Sequence, residues 1–284
     1  MKYLKHIIIR SLMLPVTAYA QSRDNNKMKK HMKLAILALS LVLSTPIVSL
    51  AQDASLSGDV LERVSPALAK YQTEIIETRL AERDALSRRD RSMVTVAAMV
   101  ARNQTADMTR QLNLALANGV TPAEISETIT HLAFYAGWDN AISAAAIAQT
   151  VFAEEGIGAN ELPAANPELL PLNEEAEAER AAFVEREWAD TAPGVVEFTE
   201  DVLFLDLWLR PDLKPRDRSL VTVSALIASG HVEQIPFHLN RAMDNGLTQP
   251  EASEMLTQLA FYAGWPNIFS AMPIVRDVFM ERND

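Results

Sequence analysis

The sequence contains no cysteine. That absence excludes disulfides, thiolate nucleophiles and zinc–thiolate sites. It also excludes a lipid anchor attached to a cysteine at a cleavage site. Glycine is scarce, at nine of 284 residues, and the short alternating runs of a strand-rich protein are missing, which argues against a β-sandwich or barrel. What remains is a chain that is 49% hydrophobic and 22% charged, the balance of a globular protein long enough for two modest domains.

The first 51 residues read as an export signal region. Lys29, Lys30 and Lys33 form a basic stretch, Leu34 to Leu43 is apolar but short for a bilayer span, and Ser49-Leu50-Ala51 is a small-x-small cleavage site. Met1 to Ala20 repeats the pattern, ending in Ala18-Tyr19-Ala20; a true start at Met28 or Met32 accounts for the doubling. Cleavage before Gln52 removes eight basic residues against one acidic residue, taking the formal charge from −11 to −18. A periplasmic or secreted protein is expected, with no membrane attachment after cleavage. A surface so acidic is a poor partner for nucleic acid, and an anionic substrate needs a local cluster of Arg or His.

The chain then repeats itself. Arg89-Asp90-Arg91-Ser92 recurs as Arg216-Asp217-Arg218-Ser219, Asn118-Gly119-Val120-Thr121 as Asn245-Gly246-Leu247-Thr248, and Leu132 to Trp138 unchanged as Leu259 to Trp265. Pro66 pairs with Pro193 and Phe152 with Phe279 in the same gapless register. Each copy is roughly ninety residues, too long for a solenoid unit, so a domain has been duplicated. The boundaries drawn are residues 58–156 and 186–284, with a linker over 157–185. Gly156 to Pro171 reads as irregular and Asn173 to Trp188 as a helix strapping the pair.

Each copy reads as all-α. Ser87 with Asp90 is an N-cap signature, Pro215 suits a first helical position, and Met93, Val94, Val96, Ala97 and Val100 make a buried stripe. Gly119 and Gly246 end helices. Thr121 with Glu124, and Thr248 with Glu251, make capping boxes. A long apolar helix is expected over Ile129 to Trp138 and again over Leu256 to Trp265.

Arg216 to Val223, then His238 to Thr248, then Leu259 to Asn267 together resemble the carboxymuconolactone decarboxylase family, and the match extends over both copies. The resemblance implies two tandem modules of the all-α fold shared with alkylhydroperoxidase D. It also implies self-association, expected here as a trimer of two-module chains with the Leu259 to Trp265 helix and its twin as candidate seams. The family's peroxidase branch uses Cys-x-x-Cys-x-x-x-His. Those positions fall on His231, Gln234 and His238 in the second copy and on Gln104, Asp107 and Gln111 in the first, while the assisting glutamate falls on Ser219. Thiol peroxidase chemistry is therefore excluded.

The decarboxylase branch needs no thiol, metal or cofactor. It must hold an anionic small-molecule substrate, stabilise oxyanion charge and deliver a proton. His238 and His231 are the catalytic candidates, His238 first because it holds the position the resemblance marks. Arg216, Arg218, His131 and Gln234 are the substrate-binding candidates. Each also has a structural reading: a core histidine with a satisfied bond, an exposed loop histidine, or arginines paired with Asp90 and Asp217. Trp138, Trp265, Tyr135 and Tyr262 read first as core or interface aromatics. The copies differ here, with Gln111 opposite His238 and Gln104 opposite His231, so one active pocket is expected in the second copy, with the first kept as scaffold. The function expected is a lyase, decarboxylase or isomerase acting on a small lactone or carboxylic acid by His-assisted proton transfer. A non-catalytic binding or assembly protein on the same fold is the alternative.

Expression in a Gram-negative host is expected to give a periplasmic chain starting at Gln52. N-terminal mass analysis that finds an intact Met1 chain in the cytosol overturns this.

Overall fold

The computed structural model describes residues 58–283; the export region lies outside them. The described residues belong to one compact unit, residues 53–284, and contain helices but no strand. The first copy runs α1 (Gly58–Val64), α2 (Pro66–Tyr71) continuing as a π-helical stretch Gln72–Leu80, α3 (Arg88–Ala101), α4 (Met108–Ala117), α5 (Pro122–Ala136) and α6 (Trp138–Glu154). The linker is irregular apart from one 3-10 turn, Ala159–Glu161, and then forms α7 (Glu174–Trp188). The second copy repeats the order: α8 (Pro193–Phe198) with a π-helical stretch Thr199–Phe204, α9 (Pro215–Ser229), α10 (Ile235–Asp244), α11 (Gln249–Ala263) and α12 (Trp265–Asn283).

Local chemistry sets the helix ends. The Ser87 hydroxyl accepts from Asp90 N, but the Asp90 carboxylate turns to arginines, so only half of the expected box forms. Both Thr–Glu boxes are complete, and Pro215 opens α9. The apolar helix does not run through to tryptophan as expected. Gly137 and Gly264 take φ of 97° and 89°, a region closed to a side chain and incompatible with a helix. Trp138 and Trp265 therefore begin α6 and α12. One asparagine in each copy recovers a carbonyl freed at the break and ties it to another near the C-terminal end of α3 or α9. Asn140 Nδ2 donates to Ala101 O and Ala136 O, and Asn267 Nδ2 to Ala228 O and Ala263 O. Leu259 is fully buried within the chain, while Trp138, Trp265 and Phe269 are exposed.

Helices α3 and α9 form the centre. Every residue from Asp90 to Ala101 and from Asp217 to Ala228 is buried, the mark of helices enclosed on all sides. The two pack on each other, α11 of the second copy packs on α3, and α5 of the first packs on α9. One hydrophobic core therefore spans both copies. Two crossed ion pairs are set into it. Arg91 reaches Glu254 at 3.2 Å, and Arg218 reaches Glu127 at 2.8 Å with both side chains almost fully buried. Arg83 and Arg210 brace the same two carboxylates from outside, at 2.7 and 2.8 Å.

Removing one partner of such a pair leaves an uncompensated buried charge, so Glu127→Ala is expected to destabilise the fold by about 3–5 kcal/mol. A denaturation midpoint unchanged from the parent would show that the crossed pairs do not hold the copies together.

Candidate functional site

A cavity of about 340 Å³ opens where the first copy meets α11 of the second. The π-helical stretch after α2 contributes Gln72, Ile76, Glu77 and Leu80. Helix α3 contributes Arg88, Arg91, Ser92 and Thr95, α4 contributes Arg110, Gln111 and Leu114, and α11 contributes Gln258 and Tyr262. Neither copy alone encloses it.

Its arginines differ in freedom. Arg91 is fixed: Nη1 donates to Glu254 Oε1 and to Gln258 Oε1 (3.0 Å), and Nη2 donates to Arg83 O (2.8 Å) and Leu86 O. Burial would raise the Glu254 carboxyl, but hydrogen bonds from Arg83 and Arg91 outweigh it and hold that group below the usual carboxylate range. Arg110 is clamped by Asp107 at 2.8 and 2.6 Å. Arg88 is exposed and pairs with no carboxylate among the described residues. The carboxamides are oriented too: Gln258 Nε2 donates to Thr95 Oγ1 (2.9 Å), and Gln111 Nε2 to Asp107 (3.0 Å). The Tyr262 phenol lies beside Gln111 and Thr95, and burial pushes it above its ordinary value, so it is a neutral O–H donor at neutral pH.

The equivalent region of the second copy is filled. Where the first copy has Ala81, Glu77 and Leu114, the second has Trp208, Phe204 and Arg241. Trp208 is 3% exposed. Its ring lies parallel to Phe204 and near-parallel to His238, and its Nε1 donates to Tyr135 Oη at 2.9 Å.

The sequence-derived candidates fall into three places. His131, Arg218 and His238 come together in this filled region. Arg218 Nη1 donates to His131 Nδ1 (3.3 Å), which leaves His131 Nε2–H to donate to Thr222 Oγ1 (2.7 Å). Burial and then Arg218 hold His131 well below the ordinary histidine value; burial and then Arg241 bring His238 down to about 4. Arg216 lies elsewhere, committed to Asp90, Asp217 and Glu251. His231 and Gln234 are exposed around the 3-10 turn that leads into α10, the helix carrying buried His238. None of the six lines the open cavity. In the second copy, bulkier residues occupy the volume equivalent to this cavity. Sequence reasoning passed over Arg88, Arg110 and Gln111 as cavity groups. The available signal was the large-for-small exchange in the repeat register, Trp208 against Ala81 above all.

The profile of the Carboxymuconolactone decarboxylase family matches residues 66–150 and 193–277. A 4-carboxymuconolactone decarboxylase of Acinetobacter baylyi is 36% identical over 76 residues, covering 27% of this chain and 57% of that protein. A nitrosuccinic acid decarboxylase of Metarhizium robertsii is 30% identical over 78 residues, covering 28% of this chain and 54% of that protein. The chain thus spans about half the length of the curated relatives it matches. A solved chain from Burkholderia xenovorans, described as a proposed gamma-carboxymuconolactone decarboxylase subunit, aligns over 80% of this chain and 91% of its own at 18% identity and a TM-score of 0.45. With its family profile matched twice, once in each half of a pseudo-symmetric pair, the chain belongs to the carboxymuconolactone decarboxylase family.

Proposed function

We propose that the protein is a cofactor-free carboxy-lyase for a small organic acid, working in the cavity between the first copy and α11. The observation that carries this reading is the composition of that cavity: Arg88, Arg91 and Arg110 beside Gln111, Gln258 and Tyr262, in a chain of net negative charge. Exposed Arg88 meets the substrate anion at the mouth and offsets the repulsion of the acidic surface. Arg91, held by Glu254, presents a fixed cation and needs no reorganisation as charge shifts.

Loss of carbon dioxide leaves the bond's electron pair on the substrate, delocalised into a conjugated carbonyl. The cavity's N–H and O–H donors stabilise the resulting oxyanion. The Tyr262 phenol delivers the proton to carbon and is reprotonated from water. A phenol suits this step because it stays protonated at neutral pH yet is acidic enough to quench a carbanion. Imidazole has no part in it, since neither His131 nor His238 lines the cavity. That same lack of imidazole favours the second reading, a binding protein that kept the cavity without turnover. Export and a trimer of two-module chains complete the proposal, with the exposed Trp138 and Trp265 on the surfaces available for packing.

A panel of small lactone and carboxylic acids, scored for carbon dioxide release, separates the two readings. Tyr262→Phe is expected to lower turnover on the order of a hundredfold while keeping its melting temperature, and Arg88→Ala to raise KM more than it lowers kcat. Binding without release from any panel member selects the binding protein, and an undiminished rate in Tyr262→Phe removes the phenol from the mechanism.

The buried imidazoles give a separate pH expectation. The His238 value of about 4 lies below the ~6.5 of an unfolded histidine, so between these values the unfolded chain binds more protons. Stability therefore falls as pH drops from about 6.5 towards 4. His238→Gln, which copies Gln111 of the first half, is expected to shrink that fall in melting temperature between pH 7 and 5. An identical pH dependence in the variant would show that His238 is not buried neutral.

A further inference from the structure

We propose that the second copy holds a latent ligand site filled by its own indole: Trp208 stands where a flat aromatic ligand bearing an N–H or O–H donor lies against Tyr135, and so silences the site. The proposal concerns the counterpart of the open cavity and not the cavity itself, so its failure leaves the reading of that cavity untouched.

The walls of the open cavity recur around Trp208 in the repeat register. Arg218 stands for Arg91, Thr222 for Thr95, Tyr135 for Tyr262, His131 for Gln258 and His238 for Gln111. The crossed ion pair behind the wall recurs as well, Arg218–Glu127 for Arg91–Glu254. What differs is volume. An alanine position in the first copy is a tryptophan in the second, and the space that is open beside Ala81 is occupied beside its twin.

The indole is held as a bound ligand is held. Its N–H donates to the Tyr135 hydroxyl at 2.9 Å. Its ring lies 6.0 Å from Phe204 at an interplanar angle of 4° and 6.2 Å from His238 at 15°, while His131 meets it edge-on at 5.1 Å. The Arg241 guanidinium sits 4.2 Å from the ring centroid, and Arg180 of the linker helix caps Phe204 at 4.1 Å. These are the contacts by which proteins take up flat aromatic ligands: stacking faces, a cation on the ring and one polar handle.

An interior selected only for packing has no use for this wall. His238 Nδ1 is buried without a partner, and an orphaned buried nitrogen costs stability that an apolar residue at that position avoids. It is what remains when a polar pocket is filled by a side chain that satisfies Tyr135 but has no second polar group to offer the imidazole.

The test is Trp208→Ala, the residue that the first copy carries at this position. Indole binding to the full chain is measured by calorimetry, with melting temperature as the second readout. The variant is expected to melt below the parent, to take up one more indole per chain than the parent, and to recover melting temperature when indole is added. Adding Tyr135→Phe is expected to weaken the additional indole about three- to tenfold, the worth of one neutral hydrogen bond. Three results overturn the proposal. The variant folds but binds no additional indole; it fails to fold even with indole present; or the additional indole is indifferent to Tyr135→Phe. The first two make Trp208 a core filler, and the third makes the space an unspecific void.

Discussion

The seam between the two copies turns on two buried ion pairs that cross it. Arg91 of α3 is neutralised by Glu254 of α11, and Arg218 of α9 by Glu127 of α5. Neither arginine finds its carboxylate within its own copy. Charges of this kind, taken out of water, are tolerated only when paired and hydrogen-bonded, so each copy is an incomplete object without the other. That is the physical reason the described residues form one core rather than two beads on a linker.

The same crossing creates the sites. Because α11 lies against α3 and α5 against α9, each halfway point between the copies is walled by one central arginine and by polar residues from the opposite half. Duplication thus generates two equivalent positions at once. They have since diverged by volume more than by architecture. A small residue at Ala81 leaves one open, and a tryptophan at its counterpart fills the other. Chemistry diverged alongside, with carboxamides around the open space and imidazoles around the filled one. Burial then drives the imidazoles neutral, whereas the open cavity keeps a solvent-facing arginine at its edge.

A second pair of arginines shows how the seam is finished. Arg89 reaches across to Asp217 as well as to Asp90 and Glu124, and Arg216 reaches back to Asp90 as well as to Asp217 and Glu251. Four carboxylates from two helix starts and two capping boxes share two guanidinium groups. Asp90 and Asp217 carry the bridges between copies, while Glu124 and Glu251 complete capping boxes and pair within their own copy. The first arginine of each Arg-Asp-Arg-Ser motif, Arg89 and Arg216, is therefore a device for joining halves, spent on that before any ligand arrives.

The sequence by itself determined the helical class, the duplication and its register. Capping threonines, a helix-opening proline and the apolar stripe of α3 act within a few residues, and a repeat needs only comparison of the chain with itself. It also settled what cannot occur, since no fold restores a missing thiol. Two local details escaped: the helix break at Gly137 and Gly264 inside an apolar run, and the partner of Arg218, which is Glu127 of the other copy, whereas Arg216 pairs with Asp90 and Asp217 as its structural reading had it. The location of the open cavity lay beyond it altogether. Histidines drew attention to the second copy because imidazole is the usual proton carrier near neutral pH, but whether an imidazole meets solvent depends on what fills the space beside it. That was decided by Trp208, which stands 30 positions before His238 and 77 after His131 in the chain, and by a seam that brings α5, α9 and α10 around one indole. Burial is a property of the packed whole, and only the tertiary structure could assign it.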